Sequence, residues 1–223
     1  MRCKVKRFIP ILLLICICVT GLTGCSLKKV VELEGKEQVE AFVESAKTWQ
    51  SGRYMLTNLE TGETDQVFSF VNNEDGTQSY LYERITDGKL FVEYSDGGPF
   101  YVIDDGNVSV YNEGGEGHIA YTAESPHPYS TGGLLFYVNL YASGSTADTD
   151  GEGNVTYTYV YDTAKINEAL GTSLSSFVTT YTFDKDGNFL NFTQKNSDGE
   201  NGYAYMVEVL DVNAVAELEN PIG

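Results

Sequence analysis

Between Arg53 and Val212 the chain is written in short runs of alternating apolar and polar residues, and nearly every run ends at a turn signal. In 66–71, Val67, Ser69 and Val71 take one face and Phe68 and Phe70 the other. A period of two belongs to half-buried strands. The breaks have a specific chemistry. Asp75-Gly76, Asp87-Gly88 and Asp186-Gly187 supply the left-handed backbone that tight hairpins need. Gly62, Asp96-Gly97-Gly98-Pro99 and Asp104-Asp105-Gly106-Asn107 mark further reversals. Strands are predicted over 54–61, 66–71, 79–86, 90–94, 100–103, 108–111, 118–122, 154–161, 175–183, 188–194 and 203–212. Connections this short cannot carry crossover helices, so the sheet must be antiparallel and the fold mainly β within an α+β class.

One long helix precedes the strands. Over 36–50, Val39, Phe42, Val43, Ala46 and Trp49 fall on one stripe, with Glu37, Glu40, Glu44 and Lys47 opposite. Ser51-Gly52 reads as its stop. A second, short helix is predicted over 164–170, capped by Asp162-Thr163 and ended by Gly171. A sheet of about ten or more antiparallel strands twists and curls. The expected architecture is a curved antiparallel half-barrel wrapped around the N-terminal helix, with short helical insertions. The pattern breaks over 124–153. Pro126, Pro128, Gly132 and Gly133 flank an apolar octet, 134–141, expected to be a short helix. Residues 143–153, rich in Ser, Gly and Asp, are expected to be a mobile loop. Together they suggest a helical lid.

The N-terminus carries an address. Arg2, Lys4, Lys6 and Arg7 precede an apolar run, 8–19, that falls short of the roughly 20 residues a membrane span needs. Leu22-Thr23-Gly24-Cys25 then resembles the bacterial lipobox, whose cysteine receives a diacylglyceryl group. Cys3, Cys16 and Cys18 would leave with the leader, so Cys25 would be the only cysteine kept. No intramolecular disulfide is then possible, and lipidation accounts for the lone thiol. The expected organisation is a signal peptide over 1–24, a lipidated tether over 25–35 and a single antiparallel β domain over 36–223. The location is extracytoplasmic, held to the cell membrane through Cys25.

In this order of parts the chain resembles the LolA-like lipoprotein carrier superfamily, which includes the LppX/LprG-like lipoproteins. The residues carrying the resemblance are the lipobox, the helix with Val39, Phe42, Val43 and Trp49, the meander strands, the interruption near 129–142 and the last strands, 177–183, 188–194 and 203–212. The resemblance implies a cavity between sheet and helices that holds acyl chains or other apolar ligands.

Charge narrows the partners. Asp and Glu number 32 against 14 Lys and Arg, a net charge of −18. A phosphate backbone would be repelled, which excludes nucleic acid. Catalytic patterns are weak. His118 and His127 lie near Gly- and Pro-rich loops with Ser125 and Ser130, but no Gly-x-Ser-x-Gly elbow is present. Such histidines are expected at the polar surface. Asp104-Asp105 and Asp148/Asp150/Glu152 could flank a glycosidic bond, yet Asp at turns is selected for backbone reasons. Asp148, Asp150 and Glu152 also resemble the start of a calcium loop, but its twelfth position is Tyr159 rather than Glu. Asp184 and Asp186 have their Gly too early. No cofactor, metal or catalytic residue is therefore assigned.

Sixteen tyrosines remain, several sharing strand faces: Tyr80 with Tyr82, Tyr157 with Tyr159 and Tyr161, Tyr203 with Tyr205. Tyrosine suits half-buried strands, and it also suits an amphipathic lining. The leading expectation is a non-enzymatic, membrane-anchored lipoprotein that binds an apolar or amphipathic ligand, lined by Trp49, Phe68, Phe70, Phe136, Tyr137 and Leu140. The alternative is an interaction module with a filled core, presenting an acidic aromatic surface to a partner protein or cell-wall glycan.

Overall fold

The computed structural model describes residues 32–127 and 141–222. Helix α1, Lys36–Ala46, comes first. Strands β1 (Ser51–Asn58), β2 (Thr64–Asn72), β3 (Gln78–Thr86), β4 (Lys89–Ser95), β5 (Phe100–Asp104) and β6 (Asn107–Tyr111) form one meander. Strands β7 (Ala142–Thr149) and β8 (Val155–Tyr161) are followed by helix α2, Thr163–Leu170. Strands β9 (Ser176–Phe183), β10 (Phe189–Ser197) and β11 (Gly202–Val212) complete a second meander.

All eleven strands join one antiparallel sheet in the order β6-β5-β4-β3-β2-β1-β11-β10-β9-β8-β7. The two meanders meet where β1 pairs with β11, placing Leu56 opposite Val207. The sheet is curved and open, as the pattern predicts. Register shifts at Arg53/Tyr54, Leu56/Thr57, Phe189/Asn191 and Ala142/Gly144 sharpen the bend, because an extra residue on one strand raises the local twist.

The inner face is aromatic. Tyr54, Phe68, Phe70, Tyr80, Tyr82, Tyr159, Tyr161, Phe177, Tyr181, Phe183, Phe192 and Tyr205 are buried in one cluster with Val39, Val43 and Ala46 of α1. Helix α1 rests on the β8–β10 side. Phe42 stacks on Phe189 at 3.9 Å between ring centroids and meets Phe183 edge-on. Tyr157 donates from its hydroxyl to Gln38 Oε1, and Tyr159 donates to the Glu34 carbonyl. The tyrosine face of β8 is thus spent largely on holding the start of α1. Gly35, at φ 64°, caps α1 in the left-handed region with the Tyr157 ring against it, so a side chain there would meet both strain and the ring. Ile166 of α2 is fully buried. Asp162 accepts from the Lys165 amide and Gly171 ends α2 at φ 65°, the caps the sequence predicts.

Four expectations are corrected. Helix α1 stops at Ala46, and Gly52 belongs to β1. A Cβ on Gly52 would stand 2.7 Å from the Phe70 ring, so its glycine answers a close approach rather than a helix stop. Most of 143–153 is strand. Ala142–Thr149 pairs with β8, and only the turn around Asp150 and Asn154 is loop. Small polar residues carry little strand propensity, and the three tyrosines of the partner strand supply the packing instead. Residues 118–122 make only an isolated bridge, Thr77 to Thr122. His127 is buried, as described below. The octet 134–141, expected to be helical, lies outside the described residues except for Tyr141, and so do the leader, Cys25 and the start of the tether.

The C-terminal segment folds back over the outer face. Asn213, at φ 54°, accepts from the Gln50 amide at 2.7 Å, and its own amide donates to the Ser51 carbonyl. The Val215 amide donates to the Ser51 hydroxyl. Among the described residues, no helix is long and apolar enough to cross a membrane.

Candidate functional site

The inner face of β1–β4 is where aromatic and polar groups converge. Hairpin pairing sets Phe68 opposite Tyr82 and Phe70 opposite Tyr80, and Tyr54 of β1 opposite Phe68. Tyr54, Phe68 and Phe70 stand 6.1–6.3 Å apart between ring centroids. Trp49 stacks on Tyr54 at 6.3 Å from the α1 side. Three of the predicted lining residues, Trp49, Phe68 and Phe70, therefore meet in one cluster. The other three, Phe136, Tyr137 and Leu140, lie outside the described residues.

What covers this floor differs from what covers β8–β10. Among the described residues, an irregular segment after β6 lies across it. Tyr121 meets Tyr80 edge-on at 5.4 Å. His127, only 3% exposed, stacks on Phe68 at 4.9 Å and lies 4.5 Å from Tyr80 and 4.6 Å from Tyr121. Its amide donates to the buried Gln78 Oε1 at 2.8 Å. Its Nε2 is 3.7 Å from Glu93 Oε2 on the inner face of β4. Burial pushes the imidazole below its ordinary pKa, while Glu93 pulls it back up. Burial also raises the phenols of Tyr80 and Tyr121, and the Glu93 charge adds to both shifts. These two phenols stay neutral donors across the physiological range.

At the open end of the floor, the Tyr82 hydroxyl donates to Gln66 Oε1 at 3.1 Å. Arg84 follows on the same face, its guanidinium carbon 5.1 Å from the Phe91 ring centroid. The arrangement offers apolar area, several polar tips, the Glu93 carboxylate and the Arg84 cation. Among the described residues it contains no nucleophile hydrogen-bonded to a base. The Ser125 backbone is bonded to Thr122 through both its amide and its carbonyl. His118 sits apart, its Nε2 3.2 Å from the Gly98 carbonyl.

The acidic candidates are committed to turns. Asp150 accepts from the Glu152 and Asn154 amides, and Asp184 does the same with Asp186 and Asn188. The side-chain amides of Asn154 and Asn188, with these backbone bonds behind them, hold both carboxyls below their ordinary range. Asp105 takes φ 50° at its hairpin and pairs with Lys89 at 2.6 Å.

A concavity lies on the outer face, between the returning C-terminal segment and β2–β4. It encloses about 690 Å³, lined by Val71, Asn73, Ser79, Tyr94, Asp96 and residues 216–220. Asp96, Glu217 and Glu219 make its rim acidic. Burial raises the Tyr94 phenol, and the Asp96 charge adds to the shift.

Sequence reasoning missed Tyr54, Tyr80, Tyr121 and His127 as members of the inner site. The first two carried a signal, since period two places them in line with Phe68 and Phe70 once the turn around Gly62 sets the β1–β2 register and the 73–76 turn the β2–β3 register. Tyr121 and His127 carried none, because the segment holding them has no periodicity.

No family model matches the sequence. No curated protein matches it either. Solved structures do. LprF from Mycobacterium bovis superposes with a TM-score of 0.51 at 15% identity, over 84% of this chain and 97% of that one. The lipoprotein LppX from Mycobacterium tuberculosis gives 0.48 at 12% identity, over 82% and 97%. The chain has the fold of LprF, in agreement with the resemblance drawn from the order of its parts.

Proposed function

We propose that the protein is a membrane-anchored extracytoplasmic lipoprotein. It binds an apolar or amphipathic ligand on the inner face of its curved sheet and is not an enzyme. Cys25 is the lipidation site, and Trp49, Phe68 and Phe70, with Phe136, Tyr137 and Leu140, line the ligand. One observation carries this reading. Among the described residues, the aromatic floor of β1–β4 is covered by an irregular segment, 121–127, where β8–β10 have a helix. A roof without regular hydrogen bonding opens at lower cost than a packed helix. The floor is also mixed in character. Tyrosine and histidine tips stand among phenylalanine rings, which suits a ligand with apolar and polar parts. The fold shared with LprF and the resemblance to lipoprotein carriers support the same direction.

The test is direct. The full chain is purified from native membranes, extracted, and the extract analysed by mass spectrometry. A stoichiometric amphiphile beyond the covalent lipid on Cys25 is expected. Extracts holding only bulk membrane lipid in bulk proportions would favour the filled interaction module.

A further inference from the structure

Strand β3 sets a graded series along the inner face: Gln78, Tyr80, Tyr82, Arg84, about 6.8 Å from one to the next. The first three are buried, and Arg84 is partly exposed at the open end. Arg84 lies between Gln66 on β2 and Phe91 on β4. Its Nε is buried and has no hydrogen-bond partner among the described residues. This is unexpected in a chain where Asp and Glu number 32 and Lys and Arg 14. Lys47, Lys89 and Lys165, all exposed, each hold a carboxylate at 2.6–2.7 Å. Two acceptors that neighbour Arg84 on the inner face by register are engaged elsewhere. Gln66 Oε1 takes the Tyr82 hydroxyl, and Glu93 faces His127.

A desolvated N–H left unpaired costs free energy that a bound acceptor would recover. Guanidinium is also the group whose planar fork matches an oxyanion, and the Phe91 ring holds that plane in place. We infer that Arg84 anchors the anionic head of an amphiphile whose apolar chain lies along Tyr82, Tyr80 and Phe68. The inference rests on the ligand-binding reading above and adds the ligand class. The head is a carboxylate or a phosphate at the end of an apolar chain.

The experiment titrates the full chain in nanodiscs of zwitterionic lipid, with empty discs as the blank. Three fluorescent probes are compared: a dansylated fatty acid, its neutral methyl ester, and a fluorescent lysophosphatidic acid. At least one anionic probe should bind about tenfold or more tightly than the ester, as a charge-assisted hydrogen bond supplies. Arg84→Gln should erase that preference and leave ester binding unchanged, which also reports an intact fold. Arg84→Lys should restore only part of it, since a point charge lacks the fork. The anionic probe that loses more names the head group. Equal binding of charged and neutral probes, or a preference that survives Arg84→Gln, overturns the role of Arg84 while leaving ligand binding in place. Absence of binding by all three probes overturns both.

Discussion

Trp49 follows α1, three residues past its end, and is 9% exposed, between the Phe42 and Tyr54 rings. Trp49→Ala should destabilise the protein by about 3–5 kcal/mol, read from the midpoint of a denaturant titration. A loss under about 1 kcal/mol would mean that α1 does not depend on this contact. His127 makes a different kind of contribution. Burial depresses its pKa, so the folded protein holds the proton less firmly than the unfolded chain. Its contribution to stability is complete above about pH 6.5, the unfolded value, and is lost as pH falls from there toward the depressed folded value. Asp75, Asp150, Asp184 and Asp198 are also lowered, by turn hydrogen bonds, and Asp162 by the Lys165 side chain and its amide at the start of α2, but all from an ordinary value of 3.8. They act in the same direction at lower pH. Between pH 7 and 5 the melting temperature should therefore fall, and His127→Phe, which keeps the stacking, should flatten that fall. An unchanged slope in the variant would show that His127 does not control it. Phe68 and Phe70 were legible because strand alternation fixes which residues share a face. His127 was not, because the aromatic floor that buries it comes from distant strands.

The meanders read well because hairpins are local. Asp87 and Asp105 adopt positive φ beside Gly88 and Gly106, where the sequence places its turns. Strand β7 read badly because its partner supplies its packing. Ser145 and Ala147 face Tyr159 and Tyr157 across the ladder, and Ser145 Oγ accepts from the Glu34 amide ahead of α1. As an edge strand, β7 is paired on one side only, whereas β11 lies between β1 and β10. Hydrogen exchange should therefore be faster in 142–149 than in 202–212. The lid reading of 124–153 is now limited to what precedes β7. It remains a proposal for the segment around the octet 134–141. An amphipathic ligand should slow exchange across the 121–127 roof and the octet while leaving β11 unchanged. Protection of both segments equal to that of β11 in the empty protein would make the roof a fixed core element.

At the scale of the whole molecule, the acidic body and the lipobox make one prediction. Cys25→Ala should move the protein out of the membrane fraction or leave it unprocessed, and abolish labelling by a metabolic fatty acid. Persistent labelling of the variant would refute the anchor. A net charge of −18 gives the body no attraction of its own for an anionic bilayer, so no second contact should retain it. The sequence by itself determined the strand-rich class, the antiparallel pairing, the two helices, the caps of α2 and three members of the aromatic cluster. All of these follow from periods and turn chemistry that act within a few residues. Tertiary structure alone decided that β1 joins β11, that β7 is a strand, that Tyr157 and Tyr159 hold α1, and that the C-terminal segment returns across the outer face. It also put His127 on the phenylalanine and tyrosine floor and left Arg84 Nε without a hydrogen-bond partner among the described residues. Each of these is a contact between residues far apart in the chain. Such contacts form only where burial of the whole aromatic face outweighs the entropy of closing long loops, and no local pattern records that balance.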